Sequence, residues 1–383
     1  MLKFFKQHRI EFAVFFLAVA VRLIFFFIAL HVNGGNVENT IHGKDWYFEI
    51  SRNLLLGNGF SAEQVPPFLP YSYGVPIYPF FLAFLLWTTG SYFATAMIQL
   101  LLGAFIPIIG MILARLIVPS FNRAPLVVGV LLALAPYQIL FSFIFFTEAL
   151  FTVLFGVFLI SFLKFLETPS IRLAVLAGLF LGLSTLTKPT VQYLVIIAIV
   201  FAIWCFRNKL NKDILLKLGC FFLIFFMVLS PWLYRNYRTF NTIGISSQVS
   251  SNLYGTLLPS VLSIEHNASF SEEKTKQNLN PKDARLNSSG GVIIEILRHP
   301  AALIKLAAVS SVTFFTHDGM LTFLQAAGIK PDTYLQKPAL LMFMNAPLQF
   351  VKIIWGYMHT DMAIILFARL FWIAVTIFFG LGL

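Results

Sequence analysis

Apolar residues run along this chain in blocks of about 20, set apart by short polar stretches. At 1.5 Å per helical residue a block of that length matches a hydrocarbon layer of roughly 30 Å. The pattern predicts membrane-spanning helices over 11–32, 94–117, 125–143, 145–165, 172–187, 190–206, 217–234 and 361–383. A further span over 300–316 is weakened by Lys305 inside it and by Glu295, Arg298 and His299 just before it. Stretch 76–88 is apolar but short, the length of an interfacial or re-entrant helix. The expected fold is all-α: a polytopic transmembrane helical bundle of about eight or nine spans, forming a single domain over 1–383.

Two polar excursions interrupt the pattern, 33–75 and 235–299. Pro66, Pro67, Pro70 and Pro76 break helix in the first, which is expected to hold short interfacial helices. Asn, Ser and Lys dominate the second, read as a loop whose 265–290 portion is mobile.

Composition agrees: 58% of residues are apolar and only 11% charged, too few charges to cover a soluble surface. The net charge of +11 would suggest nucleic acid in a soluble protein. Here the cations sit in short loops between apolar blocks, so they read as contacts to anionic lipid and as a topology signal, with no nucleic-acid partner. With 76–88 not crossing, one side collects Lys3, Lys6, Arg9, Arg115, Arg123, Lys164, Arg172, Arg207, Lys209, Lys212 and Lys217. The other side, up to residue 234, holds only Lys44, Arg52 and Lys188. This bias places the N-terminus in the cytoplasm and both polar excursions outside, in the cell membrane. The first apolar block is too long for a signal-peptide core and reads as a retained helix. Cys205 and Cys220 lie in or beside apolar segments and give no disulfide framework, and no Cys/His cluster has zinc spacing. Neither a P-loop nor a nucleophile elbow is present.

Chemistry can sit in four places. The first excursion carries Asp45, Trp46, Tyr47, Glu49, Arg52 and Asn53, then Gly57-Asn58-Gly59-Phe60 and Pro76-Ile77-Tyr78-Pro79. Asp45 and Glu49 share a face if helical; the plain alternative is an interfacial helix with a solvated acidic edge. Thr147-Glu148 opens a span, where a carboxylate costs roughly 2.5–3.5 kcal/mol at membrane depth and so faces protein or water. The alternative is a helix-start acid favoured by the macrodipole, with Thr147 as cap. Thr187-Lys188-Pro189 offers a cation in a cation-poor region, a phosphate contact or a snorkelling lysine. Pro231-Trp232 to Arg235-Asn236 ends another span, as a guanidinium fork or an aromatic and basic anchor. Arg22, deep in the first span, pairs within the bundle or snorkels, and His317-Asp318-Gly319 reads as a turn. Gly178 and Gly182, four apart, permit close helix packing.

In this order the motifs resemble the C-type glycosyltransferase superfamily, in its branch of bacterial relatives of protein O-mannosyltransferases and lipid A aminoarabinose transferases. The resemblance covers roughly residues 10–255. It implies inverting transfer of a sugar from a polyprenyl-phosphate donor to a hydroxyl of a protein, glycolipid or cell-wall acceptor, on the extracytoplasmic face. Asp45 matches the first-loop acid, the candidate general base. Glu148 matches the second acid, which orients the acceptor or joins Asp45 at a divalent metal. Lys188, Arg235 and Arg52 would hold the donor phosphate, and Glu49, Tyr78 and Asn236 would position acceptor or sugar. Some relatives carry a second acid directly after the first-loop Asp, where Trp46 stands here. The rival readings are a transporter or flippase of a lipid-linked substrate, which would place ionisable groups at the midplane and show repeats. A non-catalytic scaffold would leave Asp45 and Glu148 far apart.

Overall fold

The computed structural model describes residues 8–43, 45–279, 289–316, 319–329, 346–360 and 362–380. Among these every regular element is a helix and no strand occurs. The chain divides into two compact units, Met1–Ser246 and Ser247–Leu383.

The first unit opens with α1 (Arg9–Val32), then the short α2 (Val37–Ile41) and α3 (Tyr47–Leu55). The apolar α4 (Ile77–Thr89) follows, then α5 (Tyr92–Ala104), α6 (Ile106–Ile117), α7 (Ala124–Leu134) and α8 (Pro136–Leu140). The long α9 (Glu148–Glu167), α10 (Ile171–Thr185), α11 (Leu194–Phe206) and α12 (Lys212–Phe240) complete it. α1 packs on α5, α6 and α7; α9 packs on α6 and α10; α10 packs on α12.

Among the described residues five helical segments are long and apolar enough to cross a membrane: Arg9–Val32, Tyr92–Ile117, Glu148–Glu167, Pro189–Phe206 and Lys212–Phe240. Two bent pairs in the second unit raise this to seven if each is one span. Eight or nine were expected, and two of the expected spans form shorter apolar helices. Segment 125–143 is broken at Ala135, and α10 has 15 residues. The break has a local cause. Pro136 has no N–H to donate and pushes Ala135 to an extended conformation (φ −62°, ψ 122°). The carbonyl freed at Ala133 accepts from the Arg22 guanidinium at 3.2 Å, and Ala18 accepts from the same nitrogen at 3.1 Å. Arg22 is thus fully buried and pairs within the bundle, a cation at the C-terminal end of a broken helix.

Much of the apolar surface points outward. Ile196, Ile197 and Val200 of α11 and Leu216, Leu223 and Met227 of α12 are exposed, as a helix facing lipid requires. Inside, Phe158, Phe162 and Phe165 of α9 meet Ala174, Ala177 and Leu181 of α10 and Phe221, Phe225 and Leu229 of α12. The small residues on α10 let the backbones approach. A Cβ on Gly178 would stand 2.5 Å from the Phe221 carbonyl oxygen, and one on Gly182 would stand 2.8 Å from Val228.

The second unit contains α13 (Gln248–Asn252), a π turn (Leu253–Leu257), α14 (Leu258–Glu265), α15 (Phe270–Leu279) and α16 (Ser289–Leu297). It continues with α17 (Pro300–Thr316), α18 (Met320–Ala326), α19 (Pro347–Tyr357) and α20 (Met362–Gly380). Leu258, Val261, Val292, Ile296 and Ala302 form its core. The expected loop 235–299 is therefore mostly helical where described. Within it Glu273, 3% exposed, lies 2.6 Å from Lys276 and 3.2 Å from His266. Of the stretch expected to be mobile, 280–288 lies outside the described residues, as do His317 and Asp318. The segment 300–316 is helical as α17, and it is long enough to cross a membrane only together with α18, from which it is bent by 57°.

Candidate functional site

At one end of the first unit, segments far apart in sequence are laced together by backbone hydrogen bonds. The Phe145 N–H donates to the Ile41 carbonyl (2.8 Å), and the Ile77 N–H donates to the Leu186 carbonyl (3.1 Å). The first bond lays residues 41–43 against the entry to α9. Gly43 allows the approach: a Cβ there would stand 2.6 Å from the Phe146 ring and 2.8 Å from the Phe145 carbonyl oxygen. Asp45 follows two residues after Gly43 and lies beside Glu148, the first residue of α9. Lys188 comes from the turn that Pro189 enforces after α10.

Lys188 Nζ donates to Glu148 Oε1 at 3.0 Å, and both side chains remain about one-third exposed. The Lys188 ammonium also lies 5.8 Å from the centre of the Phe151 ring. The Thr147 hydroxyl donates to Glu148 Oε2 (3.3 Å) instead of capping α9. Asp45 is half-buried, and its carboxyl is pushed above the ordinary value, chiefly by burial and further by the Glu148 charge, with Lys188 opposing. A carboxyl so placed holds its proton more readily than a free one, the direction a general base needs.

Aromatic side chains wall this group. Trp46 lies 5.7 Å from Tyr71 and 5.9 Å from Tyr73, and Tyr47 stands edge-on to Tyr78 at 5.2 Å. Burial first, and then neighbouring tyrosines and carboxylates, raise the Tyr47 and Tyr71 hydroxyls, so both stay protonated donors. Tyr71 and Tyr73 were not among the residues expected from sequence. Both rings are near Trp46, and the Tyr71-Ser72-Tyr73 pair beside the prolines of the first excursion was the available signal.

The structure thus brings Asp45, Glu148 and Lys188 together, sets Tyr78 behind Tyr47, and gives the other four expected residues different surroundings. Tyr78 is fully buried and donates to Gln99 Oε1 (2.7 Å), while Gln99 donates to the Ile144 carbonyl (2.7 Å). Asn236 gives its amide hydrogens to the Gly244 (2.7 Å) and Ile245 (3.1 Å) carbonyls, closing the turn after α12. Arg235 donates to the Tyr71 carbonyl (3.1 Å) and to Asn236 Oδ1 (2.9 Å). Its guanidinium lies within 5.4 Å of the ring centres of Phe60, Trp232 and Phe240. Arg235 therefore clamps the 60–73 loop to the end of α12, which the Ser246 hydroxyl reinforces by donating to the Tyr73 carbonyl. Glu49 and Arg52 face a separate cleft.

The Asn53 and Gly57-Asn58-Gly59 motif is structural. The buried Asn53 amide donates to the Ser61 (2.9 Å) and Glu63 (2.8 Å) carbonyls and accepts from Asn58 (3.1 Å). Gly57 and Gly59 take φ of +78° and +81°, which glycine adopts without strain. Among the described residues no three His, Cys, Asp or Glu side chains are grouped to hold a metal ion. No family model matches this chain, and neither does any curated protein.

Proposed function

We propose that this membrane protein is a glycosyltransferase that moves a sugar from a polyprenyl-phosphate donor to an acceptor hydroxyl on the extracytoplasmic face, with inversion. One observation carries the reading: a half-buried carboxyl with raised proton affinity, Asp45, stands beside the Glu148–Lys188 ion pair. They lie at an aromatic-walled end of helices whose outer surfaces suit lipid. A scaffold would have left the two carboxylates apart.

In the reaction the acceptor oxygen forms a bond to the anomeric carbon while the bond from that carbon to the phosphate oxygen breaks. Polyprenyl phosphate departs with the bonding electron pair, and the acceptor proton passes to Asp45. Lys188 offsets the charge growing on the departing phosphate. Glu148 holds Lys188 in place, and its charge keeps Asp45 basic. The bilayer holds the lipid tail against the exposed apolar helix faces.

The test is release of polyprenyl phosphate from a polyprenyl-phosphate sugar by the protein in lipid nanodiscs, with acceptor present. Release no faster than in empty nanodiscs, across a panel of donor sugars and acceptors, would sink the proposal. Given turnover, the rate is expected to rise with pH as Asp45 ionises. Glu148→Gln removes the like charge that raises Asp45 and so moves this limb to lower pH. A limb that stays put would argue that another group is the base. Gly43→Ala is expected to push the 41–45 segment off Phe145 and lower turnover by on the order of 10²-fold. Its melting temperature should stay near that of wild type. Unchanged turnover would mean that this contact does not position Asp45.

A further inference from the structure

A separate cavity, of about 390 Å³, opens between α2, α3 and the 58–68 loop. The 42–49 segment links the two sites: His42, Phe48 and Glu49 line the cavity, and Asp45 lies between them in sequence. Glu38, Arg52, Asn58 and Glu63 supply further polar lining.

Two of these side chains are incompletely satisfied. Glu49 Oε1 lies 3.3 Å from His42 Nε2, while Glu49 Oε2 is buried and has no hydrogen-bond partner among the described residues. A desolvated carboxylate oxygen of this kind carries a cost that a donor from a ligand would remove. Arg52, one turn along α3, does not turn to Glu49. Its guanidinium stands 5.9 Å from the Phe48 ring centre, and among the described residues its side chain makes no hydrogen bond or ion pair. The cavity therefore offers an acceptor lacking a donor and a guanidinium with free donors, together with the amide of Asn58 and an apolar wall.

The walls are held in place independently of any ligand. Asn53 pins the loop through Ser61 and Glu63, and the Asn36 side chain caps α2 by accepting from the Asn39 N–H. The backbone that frames the cavity is thus fixed by bonds within the protein. A hydroxyl group donates and accepts at once, so a sugar ring with several hydroxyls meets both kinds of lining group. Its C–H face suits the Phe48 and Phe68 side.

We propose that this cavity binds a sugar unit of the acceptor, with Glu49 accepting from a sugar hydroxyl and Arg52 donating to another. The inference rests on the transferase reading for the word acceptor, but the binding itself does not. It is tested by saturation-transfer difference NMR on the protein in nanodiscs without donor lipid, using methyl hexosides and methyl 2-amino-hexosides as probes. Binding with Kd on the order of 1 mM is expected for at least one probe. Glu49→Gln and Arg52→Ala should each weaken it about tenfold, the loss of one charged hydrogen bond. Asp45→Asn should leave it intact. Arg52 is exposed, so its variant keeps the test usable if Glu49→Gln fails to fold. Absence of binding by every probe, or binding that neither variant weakens, overturns the proposal. Binding that depends on Glu49 and Arg52 in a protein with no transfer activity would uphold the cavity and sink the transferase reading alone.

Discussion

Replacing Asp45 by Asn is expected to lower sugar transfer by about 10²–10⁴-fold, the contribution of a positioned general base. The same change is expected to leave the fold at least as stable as wild type at neutral pH. The Asp45 carboxyl has a higher proton affinity in the folded chain than the ordinary value of 3.8, because it is half-buried and faces Glu148. Between the unfolded and folded values the native state binds more protons, so stability falls as pH rises through that window. Above it, wild type carries the full cost of an ionised Asp45. The amide of the Asp45→Asn variant does not ionise, so that slope is absent. The check pairs lipid-phosphate release with thermal melting from acidic to neutral pH. Full turnover in the variant would remove Asp45 from the mechanism. A variant that melts well below wild type would mean that the carboxylate is held for structure.

Gly178→Leu is expected to be the most damaging change away from the site. A Cβ at 178 stands 2.5 Å from the backbone oxygen of Phe221 and 3.1 Å from Ile224, so α10 and α12 must separate. Forcing bulk into such a contact costs about 1–3 kcal/mol. The interface lost is the one that carries Phe221, Phe225 and Leu229. α10 also leads into Lys188, so parting the two helices would disturb the Lys188–Glu148 pair as well. Gly219→Leu on the outward face of α12 is the control: nothing lies within 4 Å of its Cβ, and it should melt at or above the wild-type temperature. Equal melting of the two variants would show that the close approach at Gly178 does not support the fold.

That this chain is a helical membrane protein was legible in its residues, because long apolar runs can satisfy their backbone in lipid only as helices. Local boundaries were legible too: Pro189 ends the segment at Lys188, and Gly178 and Gly182 announce a close interface. Pro136 was just as visible, and the apolar run around it concealed a broken helix. Helix lengths were harder to read, since hydropathy does not show where one apolar run is divided into shorter helices. Pairing, by contrast, emerged only once the helices were packed. Nothing local tells Lys188 to choose Glu148, 40 residues away, over a lipid headgroup. Nothing local tells Arg235 to commit a donor to Tyr71, 164 residues away, or Glu49 to turn to His42 instead of Arg52. Charged side chains reach several ångströms and have many partners of similar energy, so the choice falls to whichever group the packed backbone brings within reach. Gly43 against Phe146, and the hydrogen bond from Phe145 to Ile41, make that choice for Asp45.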